Sequence, residues 1–338
     1  MTNTKKILFI KLSNSTFILK DEEILNQHFE VTSYFYGTEK GFKAGLSLVK
    51  QFFYLLLNIW KYDLIYIWFA DYHSFLPALF SWLFKKKTII VLGGFDVMKI
   101  PELNYGGHIS RIRSWFIKAS CYLSDKLLVV SEYAQIQASR NISPKVISKT
   151  EIIYNGIDTV SFKNLKKERQ NKIIYVSAAE DERRAKIKGI DKLLKVAEKL
   201  PNYEFLLVGV ADDFLNQTFN SHPENIKTIS FISKNKLITL YNEHKVVLQL
   251  SVIESFGVSV VEAMACGCVP VVSAVGGLKE VVKSDYGYLV DRNHTDNIRD
   301  SVLDAFKTYD KKSDLAQQKV LADFSDEDRK KAILNAIN

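Results

Sequence analysis

The sequence predicts an α/β protein made of two doubly wound parallel sheets in tandem. Its 338 residues suffice for two domains, each with its own core. Short apolar runs rich in β-branched and aromatic residues alternate with helix-period stretches, the pattern of βαβ units. The charged, apolar-poor segment "KNLKKERQN", 163–171, reads as a linker, after which the alternation restarts. The expected division is 1–163, 164–322 and a terminal helix over 323–338 that packs back toward the first domain. The two sheets are expected to face each other across a cleft, with ligands at the carboxyl ends of their strands.

In the first domain the expected strands are 7–10, 29–35, 64–69, 88–92 and 126–130, with helices over 43–60 and 109–123. "MTNTKKILFIKLSN" has a positive start, but its apolar run stops at Lys11, too soon for a signal peptide. "LIYIWFADYHSFLPALFSWLF", 64–84, has membrane-spanning length, yet Asp71, His73 and Pro77 fall in its middle. A buried strand followed by a helix is the better reading. The second domain repeats the pattern with strands at 172–177, 204–209, 227–232, 245–251 and 269–274, and Ser325-x-x-Asp328 caps the terminal helix.

Apolar residues at 47% and charged residues at 25% exclude a disordered or fibrous chain. The net charge of +8 comes from scattered lysines and arginines, with no nucleic-acid motif among them. Such a surplus suits phosphorylated ligands or an anionic membrane surface. The helix "ISRIRSWFIKASCYL" sets Arg111, Arg113 and Lys118 among apolar residues, which fits a membrane surface or, in preference, a core-facing helix with a solvated basic side. Cys121, Cys266 and Cys268 form neither a disulfide framework nor a zinc set, so a reducing cytoplasm is expected.

The chemistry concentrates in "VIESFGVSVVEAMACG", 252–267. A helix starting near Phe256 or Gly257 leaves backbone N–H groups of Phe256, Gly257 and Val258 as a seat for phosphate. Glu262 lies one turn further, where a ribose would reach it, and Glu254 stands before the helix, where the group beyond the phosphates would lie. A carboxylate accepts two hydroxyl hydrogens at once, which suits a ribose diol or a sugar ring. Acids beside a diphosphate require compensating cations. Arg183, Arg184 and Lys188, followed by Gly189, come directly after the strand 172–177 and supply them.

Glu254 to Glu262 resembles the E-x7-E motif of the retaining, GT-B-fold glycosyltransferases of family four, the glycosyl transferases group 1. The likeness covers most of the second domain and, more loosely, "VLGGFDV", "VSEYAQ" and "IIYNGID" in the first. It implies a hexosyltransferase that keeps the anomeric configuration without a metal or other cofactor. The expected donor is a nucleotide-diphosphate sugar, UDP or GDP in preference to ADP. The expected acceptor is a glycan or lipid-linked molecule in cell-surface polysaccharide synthesis. Glu254, Lys188 and Arg184 would be catalytic. Arg183, Ile232, Ser255, Phe256, Gly257, Val258 and Glu262 would bind the donor. The family's His is absent where this chain has Gly93 and Gly94, and its glycine-rich loop after the first strand is replaced by "KLSNSTFILKDEE". Asp96, His73 and Gly94 are the remaining acceptor-side candidates, with Asp96 and His73 at least as readily structural hydrogen-bonders. The expected site is cytoplasmic, at the inner face of the membrane.

Two other readings compete. A nicotinamide-dependent oxidoreductase needs G-x-G-x-x-G after a first strand, and neither "ILFIKLSNS" nor "IIYVSAAED" has it. A non-catalytic, two-lobed sugar-binding protein has no use for a cationic diphosphate clamp. The D-x-D of metal-dependent transferases appears only as "DED", 326–328, where helix-start charge accounts for it.

Overall fold

This computed structural model describes residues 4–37 and 42–338. The chain divides into two compact units, Met1–Tyr154 with Ala332–Asn338, and Asn155–Lys331. The first runs β1 (Lys6–Lys11), α1 (Thr16–Asn26), β2 (Glu30–Phe35), α2 (Phe42–Asn58), β3 (Leu64–Trp68), α3 (Tyr72–Leu83), β4 (Lys87–Leu92), α4 (Arg111–Leu123), β5 (Lys126–Val129), α5 (Glu132–Asn141) and β6 (Thr150–Ile152). Its sheet is parallel, in the order β2-β1-β3-β4-β5-β6. The inner strand β3 is buried along its whole length, whereas the edge strand β2 has no buried residue. Inner strands covered on both faces read as continuous apolar runs, and this is why they were legible.

The candidate membrane span is a strand and a helix, β3 and α3. Asp71 caps α3, and Ser74 Oγ accepts the return hydrogen bond from the Asp71 N–H at 3.0 Å. Pro77 lies inside that helix and has no N–H to give to the carbonyl of His73. Gln51 Nε2, from α2, donates to that carbonyl at 2.9 Å instead, which ties the two helices together. Among the described residues no helix is long and apolar enough to cross a membrane.

The second unit contains β7 (Gln170–Val176), α6 (Glu182–Lys188), α7 (Ile190–Glu198), β8 (Phe205–Val208), α8 (Asp212–Phe219), β9 (Ile226–Ile229), α9 (Lys234–Glu243) and β10 (His244–Gln249). It continues with α10 (Val258–Ala265), β11 (Val269–Ser273), α11 (Leu278–Val281), β12 (Tyr288–Val290), α12 (Thr295–Lys307), α13 (Tyr309–Asp323) and α14 (Asp326–Ile337), whose last residues group with the first unit. The parallel sheet has the order β12-β11-β10-β7-β8-β9. Its core joins β7, β8, β10 and β11 to the apolar faces of α7 and α12.

The division by contacts falls at Tyr154/Asn155, before the expected 163/164, and at Lys331/Ala332, after the expected 322/323. The segment read as a linker is pinned to the second unit. Arg169 is buried and donates to the carbonyls of Tyr241, at 2.8 Å, and His244, at 2.9 Å, while the Leu165 N–H donates to Asn242 at 2.8 Å. Ile157 bridges to Ser325. The short edge strands β6 and β12 were not foreseen, because three residues carry too little periodicity to register.

Candidate functional site

In the second sheet the chain runs outward from β7 through β8 to β9, then returns to place β10 on the other side of β7. That reversal makes the gap beyond the carboxyl ends of β7 and β10 the natural ligand crevice of a doubly wound sheet. The segment after β7 delivers Lys188 there, and the segment after β10 delivers Glu254 and the start of α10.

The turn at Glu254 is built from distant parts of the chain. The Val252 N–H donates to the Ile187 carbonyl at 2.8 Å, and the Gly277 N–H to the Glu254 carbonyl at 2.9 Å. A Cβ on Gly276 would lie 2.0 Å from the Glu254 carbonyl oxygen, and one on Gly277 would lie 2.1 Å from that of Ser255. No side chain fits between these loops. Gly257 has a φ of +99° and starts α10. The first-turn amides, Val258 and Ser259, have no partner within the helix and carry its positive end. The Phe256 side chain is buried against Phe324, with ring centroids 5.4 Å apart, so only its backbone is suited to a ligand.

Lys188 is held with equal care. The buried Tyr175 hydroxyl donates to the Lys188 carbonyl and accepts the Leu250 N–H at 2.9 Å. Gly189 follows at a φ of +74°, and a Cβ there would meet the Leu250 carbonyl oxygen at 1.9 Å. With its backbone fixed on the end of β10, Lys188 Nζ lies 2.8 Å from Glu254 Oε2. Their side chains remain 33% and 20% exposed, enough for an anionic ligand to reach the lysine. Arg184, one turn earlier on α6, shares the face of Lys188, and Arg183 does not. The Arg184 guanidinium is half exposed and lies 4.0 Å from Glu180, a weak tether.

Glu262 sits on α10 with the Tyr241 hydroxyl 3.5 Å from its Oε2, and the same hydroxyl donates to the Ser259 carbonyl at 3.1 Å. Burial pushes the Glu262 carboxyl up to about 7, against the opposing pull of Lys234 and Tyr241. Ile232 is half-buried in the loop between β9 and α9, next to the exposed Phe231.

The acceptor-side candidates belong to the first unit and are taken up by its backbone. Asp96 is buried and accepts the N–H groups of Ala70, Gly93 and Gly94 at 3.1, 3.3 and 2.8 Å, folding the "GGFD" loop around itself. Burial raises its carboxyl to about 6, although these bonds favour the carboxylate. His73 is buried too, its Nε2 3.0 Å from the Trp68 carbonyl, which fixes the proton on Nε2. Desolvation lowers its imidazole to about 4. The three cysteines are buried and unpaired. Asp326 and Asp328 lie in the first turn of α14, where Ser325 Oγ accepts the Asp328 N–H at 3.2 Å. Among the described residues no three His, Cys, Asp or Glu side chains converge as metal ligands.

Sequence reasoning missed Gly276, Gly277, Tyr175 and Tyr241. The glycine pair left a legible trace, "VGG" directly after a strand, whereas no sequence signal set the tyrosines apart.

Two parallel six-stranded sheets, each with a reversal in its strand order, give the chain the GT-B fold of glycosyltransferases. Anabaena Alr3699/HepE in complex with UDP and glucose is similar over 98% of this chain and 99% of that one, with a TM-score of 0.78 at 18% identity. Residues 156–320 match the family model of the glycosyl transferases group 1, and the second unit belongs to that family. An uncharacterized glycosyltransferase, MJ1178, of Methanocaldococcus jannaschii is 25% identical over 72% of this chain and 65% of its own length. The N-acetyl-alpha-D-glucosaminyl L-malate synthase of Bacillus anthracis is 27% identical, with the same coverages of 72% and 65%. The chain therefore spans less than two thirds of the length of these relatives.

Proposed function

We propose that the protein is a retaining glycosyltransferase that moves a hexose from a nucleotide diphosphate to a glycan or lipid-linked acceptor, in the cytoplasm at the inner face of the membrane. The observation that carries this reading is the meeting of Lys188 and Glu254, 2.8 Å apart, beside the amino end of α10 at the sheet's reversal. In the free protein the pair neutralises itself. A diphosphate seated on the α10 amides draws Lys188 to its own oxygens and frees Glu254 to accept hydrogen bonds from the sugar hydroxyls. Arg184, on the face of Lys188, is the arginine suited to join it. Glu262, one turn along α10, accepts the ribose hydroxyls, with Ile232 at the base.

The chemistry follows from where charge develops. As the anomeric carbon–oxygen bond breaks, negative charge builds on the departing diphosphate, and Lys188 with the helix amides stabilises it in place. The acceptor hydroxyl attacks from the same face, forming the new carbon–oxygen bond. Its proton passes to a phosphate oxygen of the leaving group. No protein nucleophile and no metal is needed in this scheme. The base is expected to be uracil or guanine, and Alr3699/HepE was crystallised with UDP and glucose.

The test is donor hydrolysis without acceptor. Incubation with UDP-, GDP- and ADP-hexoses should release one nucleotide slowly, and Glu254→Gln should slow that release by roughly 10²-fold without weakening nucleotide binding, since the change also frees Lys188 from its partner. Equal rates for both proteins would remove Glu254 from the chemistry. Stabilisation by NAD or free sugar in place of a nucleoside diphosphate would favour the oxidoreductase or the sugar-binding module.

A pH dependence follows from Glu262. Ribose hydroxyls donate to the ionised carboxylate, so nucleotide binding lowers a carboxyl that stands near 7 in the free protein. Affinity then rises as the pH is raised through about 7 and levels off above it. Measured relative to Glu262→Gln, which cancels the titration of the phosphates, the gain between about pH 6 and pH 8 should be several-fold. A flat ratio in calorimetric titrations would place the ribose elsewhere.

A further inference from the structure

Helix α2 presents an apolar stripe to the outside of the first unit. Leu46, Val49, Phe53 and Leu57 follow one another at helical spacing and lead into Trp60 of the one-turn 3-10 helix Ile59–Lys61; all are exposed, Leu57 at 66%. Its inward face is largely apolar, with Leu55 buried beside the amide of Gln51 and Ile59 buried just beyond the helix end. A helix apolar on both faces belongs inside a protein or against something other than water.

The stripe continues across the next two helices. Trp60 and Phe84 stack edge to face at 5.2 Å, and Phe52 and Phe80 at 5.4 Å, which joins α2 to the end of α3, where Trp82 and Leu83 are exposed. Phe75 and Trp115, at 5.3 Å, carry the surface on to α4, where Trp115 and Ile112 are exposed.

Along α2 and just past α3 the charged residues are lysines; the acids that flank these stretches include Asp63 and Asp71, and Asp71 is paired with Arg113 at 3.1 Å. No Asp or Glu occurs between residues 42 and 62, or between 72 and 95, whereas Lys50, Lys61 and the run Lys85, Lys86, Lys87 do. Lys61, Lys86 and Lys87 donate to neutral oxygens, those of Asn58, Trp60 and Ile337. An apolar stripe with tryptophans and cations at its margin matches the acyl boundary and headgroup layers of an anionic membrane. A protein partner would have to offer acids against a face that is mainly apolar.

We propose that α2, with the exposed ends of α3 and α4, lies in the plane of an anionic lipid bilayer. The inference deepens the membrane side of the proposed function by naming the contact and its lipid charge. Helix 109–123, for which the sequence favours a core-facing role over a membrane surface, supplies the margin of the face.

Co-sedimentation with vesicles of phosphatidylcholine, alone or mixed with phosphatidylglycerol, tests it. Binding to the anionic vesicles should be at least about tenfold tighter than to the neutral ones, and should weaken as salt is raised. The double variant Phe53→Ser, Leu57→Ser should lose binding at unchanged Tm, since both side chains are exposed in the folded protein. Failure to bind either vesicle, or equal binding to both, overturns the proposal. So does a vesicle-free dimer, seen by light scattering, that the double variant dissociates, because the face would then belong to a second copy. Donor hydrolysis in vesicle-free buffer reads the transferase function separately, so the two can fail independently.

Discussion

Lys188→Ala is expected to lower kcat/KM for sugar transfer by roughly 10³-fold, about 4 kcal/mol of transition-state stabilisation. Two effects add. The departing diphosphate loses its ammonium partner at the moment its charge grows, and Glu254, now 2.8 Å from nothing cationic, repels it. Lys188→Arg should recover part of the rate, since charge returns with different geometry. The comparison that matters is kcat against KM. A rise in KM alone would show that Lys188 binds substrate and transition state equally, and would take it out of the chemistry. Calorimetry with the free diphosphate should show weaker binding in the same variant. A wild-type Kd would mean that the phosphates sit away from this crevice.

Gly189→Ala is expected to destabilise the protein by roughly 3 kcal/mol and to disturb the clamp with it. The methyl group would stand 1.9 Å from the Leu250 carbonyl oxygen, at a φ of +74° that L-residues seldom adopt. Backbone cannot yield there cheaply. The α6–α7 junction must lift from β10, and Lys188, the preceding residue, moves with it. For a unit of this size the loss corresponds to a fall in Tm of roughly 6–12 °C. Gly45→Ala is the control, because a Cβ at Gly45 meets nothing within 4 Å on α2. It should leave Tm unchanged or slightly higher. A Gly189→Ala protein with wild-type Tm and activity would show that the junction is loose and that Lys188 is not positioned by it.

Much of the site was legible because the motif is local. Glu254, Gly257 and Glu262 lie on one strand-turn-helix, and the helix start and the one-turn spacing follow from neighbours in sequence, whereas the positive φ of Gly257 came from the structure. Lys188 and Gly189 were legible for the same reason. What they share, a common crevice, needed the strand order. Charge misled wherever the pairing partner is remote. "KNLKKERQN" looked like a solvated linker, yet Arg169 is enclosed by carbonyls of Tyr241, His244 and Cys266. Asp96 and His73 could be read as acceptor groups or as structural hydrogen-bonders, and their backbone partners accord with the second reading. The stretch 43–60 was legible as a helix, but not that its outer stripe is open.

By itself the sequence determined two parallel sheets and the strand-turn-helix with its two acids and the glycine at its helix start. These depend on periodicity, capping and φ, which act over a few residues. The tertiary structure alone decided that Lys188 meets Glu254, that Gly276 and Gly277 brace the turn, and which ionisable groups are left for a ligand. Each of those is a contact between segments far apart in the chain, and close packing admits it only once the whole sheet order is set.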